Sequence, residues 1–159
     1  MTALRSTKSM AASESLNDQA ILAAAEDILR TRLLRLGVIQ NPADAFDFLR
    51  MRLGTLCHEE FHALWLDNRH RILDCQRLFT GTVDGACVYP REVVRAALFH
   101  NASAVILAHN HPSGVAEPSA SDGAVTRELK EALGLVGVRV LDHVVVGETC
   151  VSLAARGLV

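Results

Sequence analysis

Two histidines separated by one residue, His109 and His111, and an aspartate eleven residues further on, Asp122, are the part of this chain best suited to hold a metal ion. Two imidazoles and one carboxylate leave the fourth tetrahedral position of a zinc ion open, as in catalytic and not in closed structural sites. A water in that position has its pKa lowered towards ~7, which provides a nucleophile at neutral pH. Ser119, three residues before Asp122, has two compatible readings. Its hydroxyl could steady an oxyanion beside the metal, or it could form with Asp122 the S-x-x-D pair that caps a helix start. His-x-His alone is a weak signal, and Pro112, Ser119 and Asp122 at their spacings strengthen it.

A second cluster competes for the same chemistry. His58-Glu59-Glu60-Phe61-His62 satisfies H-E-x-x-H, which on a helix places two histidines and a glutamate on one face. On a strand His58 and His62 share a face but stand roughly 13 Å apart, too far to bind one ion. The strand is favoured, because Phe61–Asp67, the turn Asn68–His70 and Ile72–Phe79 read as a hairpin. The H-x-E half of a deaminase signature is present, but no P-C-x-x-C follows it. The other histidines have structural readings: His70 in a basic turn, His100 at a helix end and His143 as hydrogen-bonded framework beside Asp142.

The elements that must position these residues are marked by hydrophobic pattern. Ala104–Ala108 is a short continuous apolar run, typical of a buried strand, and His109 opens the polar loop that follows it to Pro118. Ser119–Leu135 has helical spacing, so Asp122 falls in a first turn and can point back at the histidines. Helices are also expected over Asn17–Leu36, over Asn41–Arg52 with Pro42 in its first turn, and from Pro90 onward. Val138–Val146 returns to strand. The order ββαβαβ behind N-terminal helices predicts an α/β fold, a mixed β-sheet flanked by helices.

Composition bounds the rest. The chain has 159 residues, 50% hydrophobic and 21% charged, with a net charge of −2. That is enough for one ordinary core and excludes wholesale disorder. The isoelectric point near 6.4 provides no bulk positive field, so contact with nucleic acid would need a local basic patch. Apolar runs fall well short of the ~18 residues of a membrane span. Met1–Leu16 is Ser/Thr/Ala-rich without the apolar region of a signal peptide. Cys57, Cys75, Cys87 and Cys150 are widely spaced, so reduced thiols in a cytoplasmic protein are expected. The organisation read from these features is a flexible start over 1–16, a helical segment over 17–56 and one domain over 57–159.

The motif residues also resemble a known family. His109-Asn-His111-Pro112-Ser113-Gly114, followed by Pro118-Ser119-x-x-Asp122, is similar to the JAMM zinc motif in the form carried by RadC-like proteins. Similarity continues through Glu59-x-Phe61, Leu66–Arg71, Tyr89–Val93, Asn101–Leu107 and Leu141–His143, so it covers about Cys57 to Val159. The resemblance implies a JAB/MPN domain with a cytidine-deaminase-like fold. It implies His109, His111 and Asp122 as ligands of Zn2+, water as the fourth, and Ser119 on the oxyanion side. It places the general base at Glu59, two residues before Phe61; a one-residue slip on the strand would put Glu60 there instead. Longer family members carry a helix-hairpin-helix region in front, where this sequence has two short helices.

The function this implies is a zinc-dependent hydrolase, a metallopeptidase or isopeptidase acting on a peptide or isopeptide. A rival from another class is a DNA-repair- or mobile-element-associated accessory protein with a structural or vestigial metal site. The near-neutral charge argues against autonomous nucleic-acid binding. No motif specifies the substrate or the oligomeric state.

Overall fold

A computed structural model of the chain describes residues 19–21, 23–24, 37–81 and 87–159. The chain divides into Met1–Gly37 and Val38–Val159. In the first unit, residues 19–21 and 23–24 are helical. The remainder of the helix expected over Asn17–Leu36, and the start Met1–Leu16, lie outside the described residues.

The second unit opens with α1 (Pro42–Leu53), whose start is fixed by a capping box. Asn41 Oδ1 accepts the Asp44 N–H at 3.1 Å, and Asp44 Oδ2 accepts the Asn41 N–H at 3.2 Å. Pro42 occupies the first turn, where an N–H would have had no helical partner. There follow β1 (Glu60–Leu66), β2 (Ile72–Thr80), α2 (Pro90–Phe99), β3 (Ala104–Asn110), α3 (Ala120–Leu135), β4 (Arg139–Val146) and β5 (Cys150–Ser152).

The strands form one sheet in the order β2-β1-β3-β4-β5. β1 is antiparallel to β2 and β3, β3 is parallel to β4 across the α3 crossover, and β5 returns antiparallel to β4. This is the expected mixed α/β sheet, with two differences from the hydrophobic pattern. β5 has three residues, too few to show a two-residue period. β3 runs on through His109 and Asn110, placed above in a loop, because they pair with Val145 and Val146 of β4. Among the described residues no helix is long and apolar enough to cross a membrane.

Residue parity decides which face of the sheet a side chain occupies. Phe61, Ala63 and Trp65 of β1 and Val105 and Leu107 of β3 form one core with Val93, Ala97, Leu129 and Leu133 of α2 and α3. The even-numbered Leu64, Leu66, Ile106 and Ala108 point the other way and are buried as well. α1, with Leu49 and Leu53 buried and absent from the first core, packs against β3 and β4.

The loop after β3 is tied to the end of β4. The His111 N–H donates to the Val146 carbonyl at 2.8 Å, and the Glu148 N–H donates to the Gly114 carbonyl at 2.7 Å. A Cβ on Gly147 would lie 2.3 Å from the Gly114 oxygen, so the approach requires glycine. Gly147→Ala is therefore expected to lower stability by about 1–3 kcal/mol, the usual cost of overpacking. Urea denaturation reads this directly, and an unchanged midpoint would show that the loop moves aside without cost.

Candidate metal centre

The end of β3, the loop behind it and the first turn of α3 bring His109, His111 and Asp122 together, with one ligand atom of each within 4.8 Å of the others. His109 Nε2 lies 3.0 Å from His111 Nε2 and 3.4 Å from Asp122 Oδ1, and His111 Nε2 lies 4.0 Å from Asp122 Oδ2. His109 is buried, while His111 and Asp122 are half-buried at the rim. No other such group of histidine, cysteine or carboxylate side chains occurs among the described residues.

Hydrogen-bond partners assign the protons, starting from groups that can only accept. The Asp122 carbonyl must accept, so the Thr126 hydroxyl donates to it at 2.6 Å. The Thr126 oxygen then accepts from His143 Nδ1–H at 2.6 Å, which leaves His143 Nε2 as an acceptor. His109 Nδ1–H donates to that nitrogen at 2.8 Å, so the lone pair of neutral His109 is on Nε2. His111 is fixed in the same way, because its Nδ1–H donates to the Val115 carbonyl at 2.7 Å. Two Nε2 lone pairs thus face each other beside a carboxylate, an arrangement that repels itself unless a cation lies between them. The donor set fits a metal ion on chemical grounds, two imidazoles and one carboxylate with space for a further ligand.

The surroundings hold these charge states. Burial opposes ionisation of Asp122, but positive charge placed at the His109 ring, as a proton or a bound cation supplies it, and the Ser119 N–H outweigh it and hold the carboxyl well below the usual range. Burial pushes His143 down to about 3, with His109 adding to the effect, so His143 is a neutral link. Ser119 is the cap of α3, as the S-x-x-D reading expects. Its Oγ accepts the Asp122 N–H at 3.1 Å and its N–H donates to Asp122 Oδ2 at 2.7 Å. The capping box therefore aims the carboxylate while satisfying two backbone donors.

Glu59 and Glu60 are separated by parity. Phe61 pairs with His109 and its ring stacks on the His109 ring at 6.3 Å, so these two share a face. Glu59, two residues before Phe61, falls on that side and lines an open cleft with Cys57, His58, His111, Pro112 and Ser113. Glu60 is buried on the other side, where His58 Nε2 at 2.8 Å, His62 Nε2 at 2.7 Å and Arg77 Nη1 at 3.2 Å surround its carboxylate. Burial would raise the Glu60 carboxyl, and its three partners hold it below the ordinary value.

The H-E-x-x-H segment is thus not a helix, but the strand estimate for it also needs correcting. The regular strand begins only at Glu60, and the rings of His58 and His62 turn inward onto the carboxylate between them. His143 is hydrogen-bonded framework as expected, though its partner is His109 itself. Thr126 and Asn110 were not singled out by sequence. The spacing of Asp122 and Thr126, four apart on one helix face, was the available signal for Thr126. His100 closes α2, stacks on Trp65 at 5.9 Å and lies 3.0 Å from Gln76 Oε1, a structural role. All four cysteines are free thiols.

Two expectations follow. Thr126→Val removes the hydroxyl that joins His143 to Asp122 and should weaken binding of a divalent metal probe by roughly 10–100-fold, as losses behind metal ligands do. Competition with a chromophoric chelator measures this, and an unchanged affinity would remove the link from the account. In the metal-free protein, folded His143 resists protonation until about 3, whereas the unfolded side chain binds a proton near 6.5. Between these values the unfolded state holds the extra proton, so stability is intact above the upper value and is lost as pH falls. His143→Gln should flatten the pH dependence of the urea midpoint in that window, and an equally steep profile would contradict this.

Relatives place this geometry in context. The family model for the RadC-like JAB domain matches residues 39–158. The chain is 57% identical over 141 residues to a UPF0758 protein of Marinobacter nauticus, covering 88% of this chain and 63% of that protein. It is 62% identical over 122 residues to a UPF0758 protein of Alcanivorax borkumensis, covering 76% and 54%. A UPF0758 protein of Vibrio cholerae is 51% identical over 137 residues, covering 86% and 87%. The chain thus spans less than two-thirds of the length of the first two. The match begins before α1, so this helix and the strands behind it fall within a single family domain. With its five-stranded mixed sheet and its His-His-Asp group, the chain belongs to the RadC-like JAB domain family.

Proposed function

We propose that the centre binds zinc and that the protein is a zinc-dependent hydrolase, a metallopeptidase or isopeptidase whose substrate is a peptide or isopeptide. The observation that carries this reading is the convergence of two Nε2 lone pairs and the Asp122 carboxylate beside the cleft that Glu59 lines. Two nitrogens and one oxygen with a further position free are the donor set of catalytic zinc. The JAB domain family includes metalloproteases, which supports the same class.

Zinc at this position would lower the pKa of a water and polarise a carbonyl. The remaining roles fall to this chain. Glu59 accepts a proton from the attacking water and passes it to the leaving amine. The Ser119 oxygen already accepts the Asp122 N–H, so its own proton is free to meet a developing oxyanion. His143, Thr126 and the Val115 carbonyl hold the two imidazoles in the tautomer that presents Nε2.

The parent protein should bind one equivalent of zinc, and His109→Ala and Asp122→Ala should lose it. Zinc-loaded protein should cleave members of a peptide library, with cleavage abolished by chelation. Glu59→Gln should keep its zinc and lose roughly 10²–10⁴-fold in rate, the usual contribution of a positioned acid-base group. Undiminished zinc in Asp122→Ala would contradict the ligand set, and undiminished cleavage by Glu59→Gln would contradict the assigned base.

A further inference from the structure

Asn110 lies between the two histidines in sequence and is 2% exposed, yet its side chain makes no bond to either of them. Its amide is committed to one stretch of backbone instead. Asn110 Oδ1 accepts the Glu60 N–H at 2.8 Å, and Asn110 Nδ2 donates to the His58 carbonyl at 2.9 Å. These are the two peptide groups on either side of Glu59. The β1–β3 pairing ends with Phe61 opposite His109, so continuing the register sets Glu60 opposite Asn110 and Glu59 opposite His111. The side-chain amide thus supplies one more rung where the backbone ladder stops. From the β2 side, the Gly81 N–H donates to the Glu59 carbonyl at 2.8 Å.

A carboxamide has a donor and an acceptor side by side, which this pair of backbone groups requires. Aspartate offers acceptors only, and an aliphatic side chain offers neither. Leaving the buried Glu60 N–H unpaired would cost its desolvation, so the rung resists opening. Register matters here more than at most strand ends, because a one-residue slip would exchange Glu59 for Glu60 on the ligand face.

We propose that Asn110 is a positioning residue for Glu59: by bonding both peptide groups that flank it, Asn110 keeps the Glu59 side chain on the ligand face beside the metal centre. The proposal rests on the reading of Glu59 as the proton carrier. Asn110 itself binds no metal and touches no reacting atom.

The test uses the full chain with isotope-labelled glutamate and Co2+ as a paramagnetic probe in NMR. In the parent, one equivalent of Co2+ should broaden the Glu59 carboxyl signal. Asn110→Ala should still bind one equivalent, while its Glu60 amide exchanges with solvent roughly tenfold faster, the factor one lost hydrogen bond carries. Its Glu59 signal should recover several-fold in intensity. Asn110→Asp keeps the acceptor for the Glu60 N–H but sets an oxygen against the His58 carbonyl. It should protect the Glu60 amide and still lose part of the broadening, and it decides the matter should Asn110→Ala fail to fold. A cobalt-loaded variant whose Glu59 signal is as broad as the parent's would overturn the role of Asn110 alone. A parent whose Glu59 signal is not broadened would overturn Glu59 as the proton carrier, and the positioning role with it.

Discussion

A buried imidazole can present one nitrogen to a metal only if the other has a fixed use for its proton. His109 meets that condition through His143 and Thr126, and the chain of bonds closes on the carbonyl of Asp122, itself a candidate ligand. The two ends of the network are therefore the strand that carries one ligand and the helix that carries another. β3, β4 and α3 must be arranged so that His109, His143 and Thr126 meet with no polar group left over. That requirement couples the packing of the sheet to the geometry of the centre. In this chain the core and the candidate site accordingly share the elements β3 and α3.

Parity is the second constraint. On β1 and β3 the odd-numbered positions face α2 and α3 and end in the candidate metal centre, while even-numbered positions carry the opposite core. The neighbouring carboxylates Glu59 and Glu60 fall on opposite sides when this alternation is continued one residue past the start of β1. Glu59 reaches the cleft beside His111, and Glu60 is surrounded by His58, His62 and Arg77 on the other side. The histidines that imitate a helical zinc motif thus serve as partners to a buried carboxylate, which explains their proximity to Glu60 without an ion between them.

Much of this is legible in the sequence. The apolar run Ala104–Ala108 marks a strand buried on both faces, and S-x-x-D marks both the start of α3 and the orientation of Asp122. These signals are local, so sequence carries them directly. β5 was not legible because three residues have no period, and its place depends on pairing with β4. The inward turn of His58 and His62 depends on where β1 begins, which the Asn110 amide and the end of the β1–β3 ladder decide from fifty residues away. Thr126 carried only a spacing, and its importance appears when His143 arrives from a different strand.

The central claim is that His109, His111 and Asp122 hold one zinc ion through two Nε2 atoms and a carboxylate, with a position left open. X-ray absorption at the zinc K-edge of the singly loaded protein tests it most directly. The account predicts a four-coordinate shell of nitrogen and oxygen at about 2.0–2.2 Å, with outer-shell scattering from two imidazoles and no sulfur. A sulfur scatterer near ~2.3 Å, or a shell with scattering from only one imidazole, would contradict it.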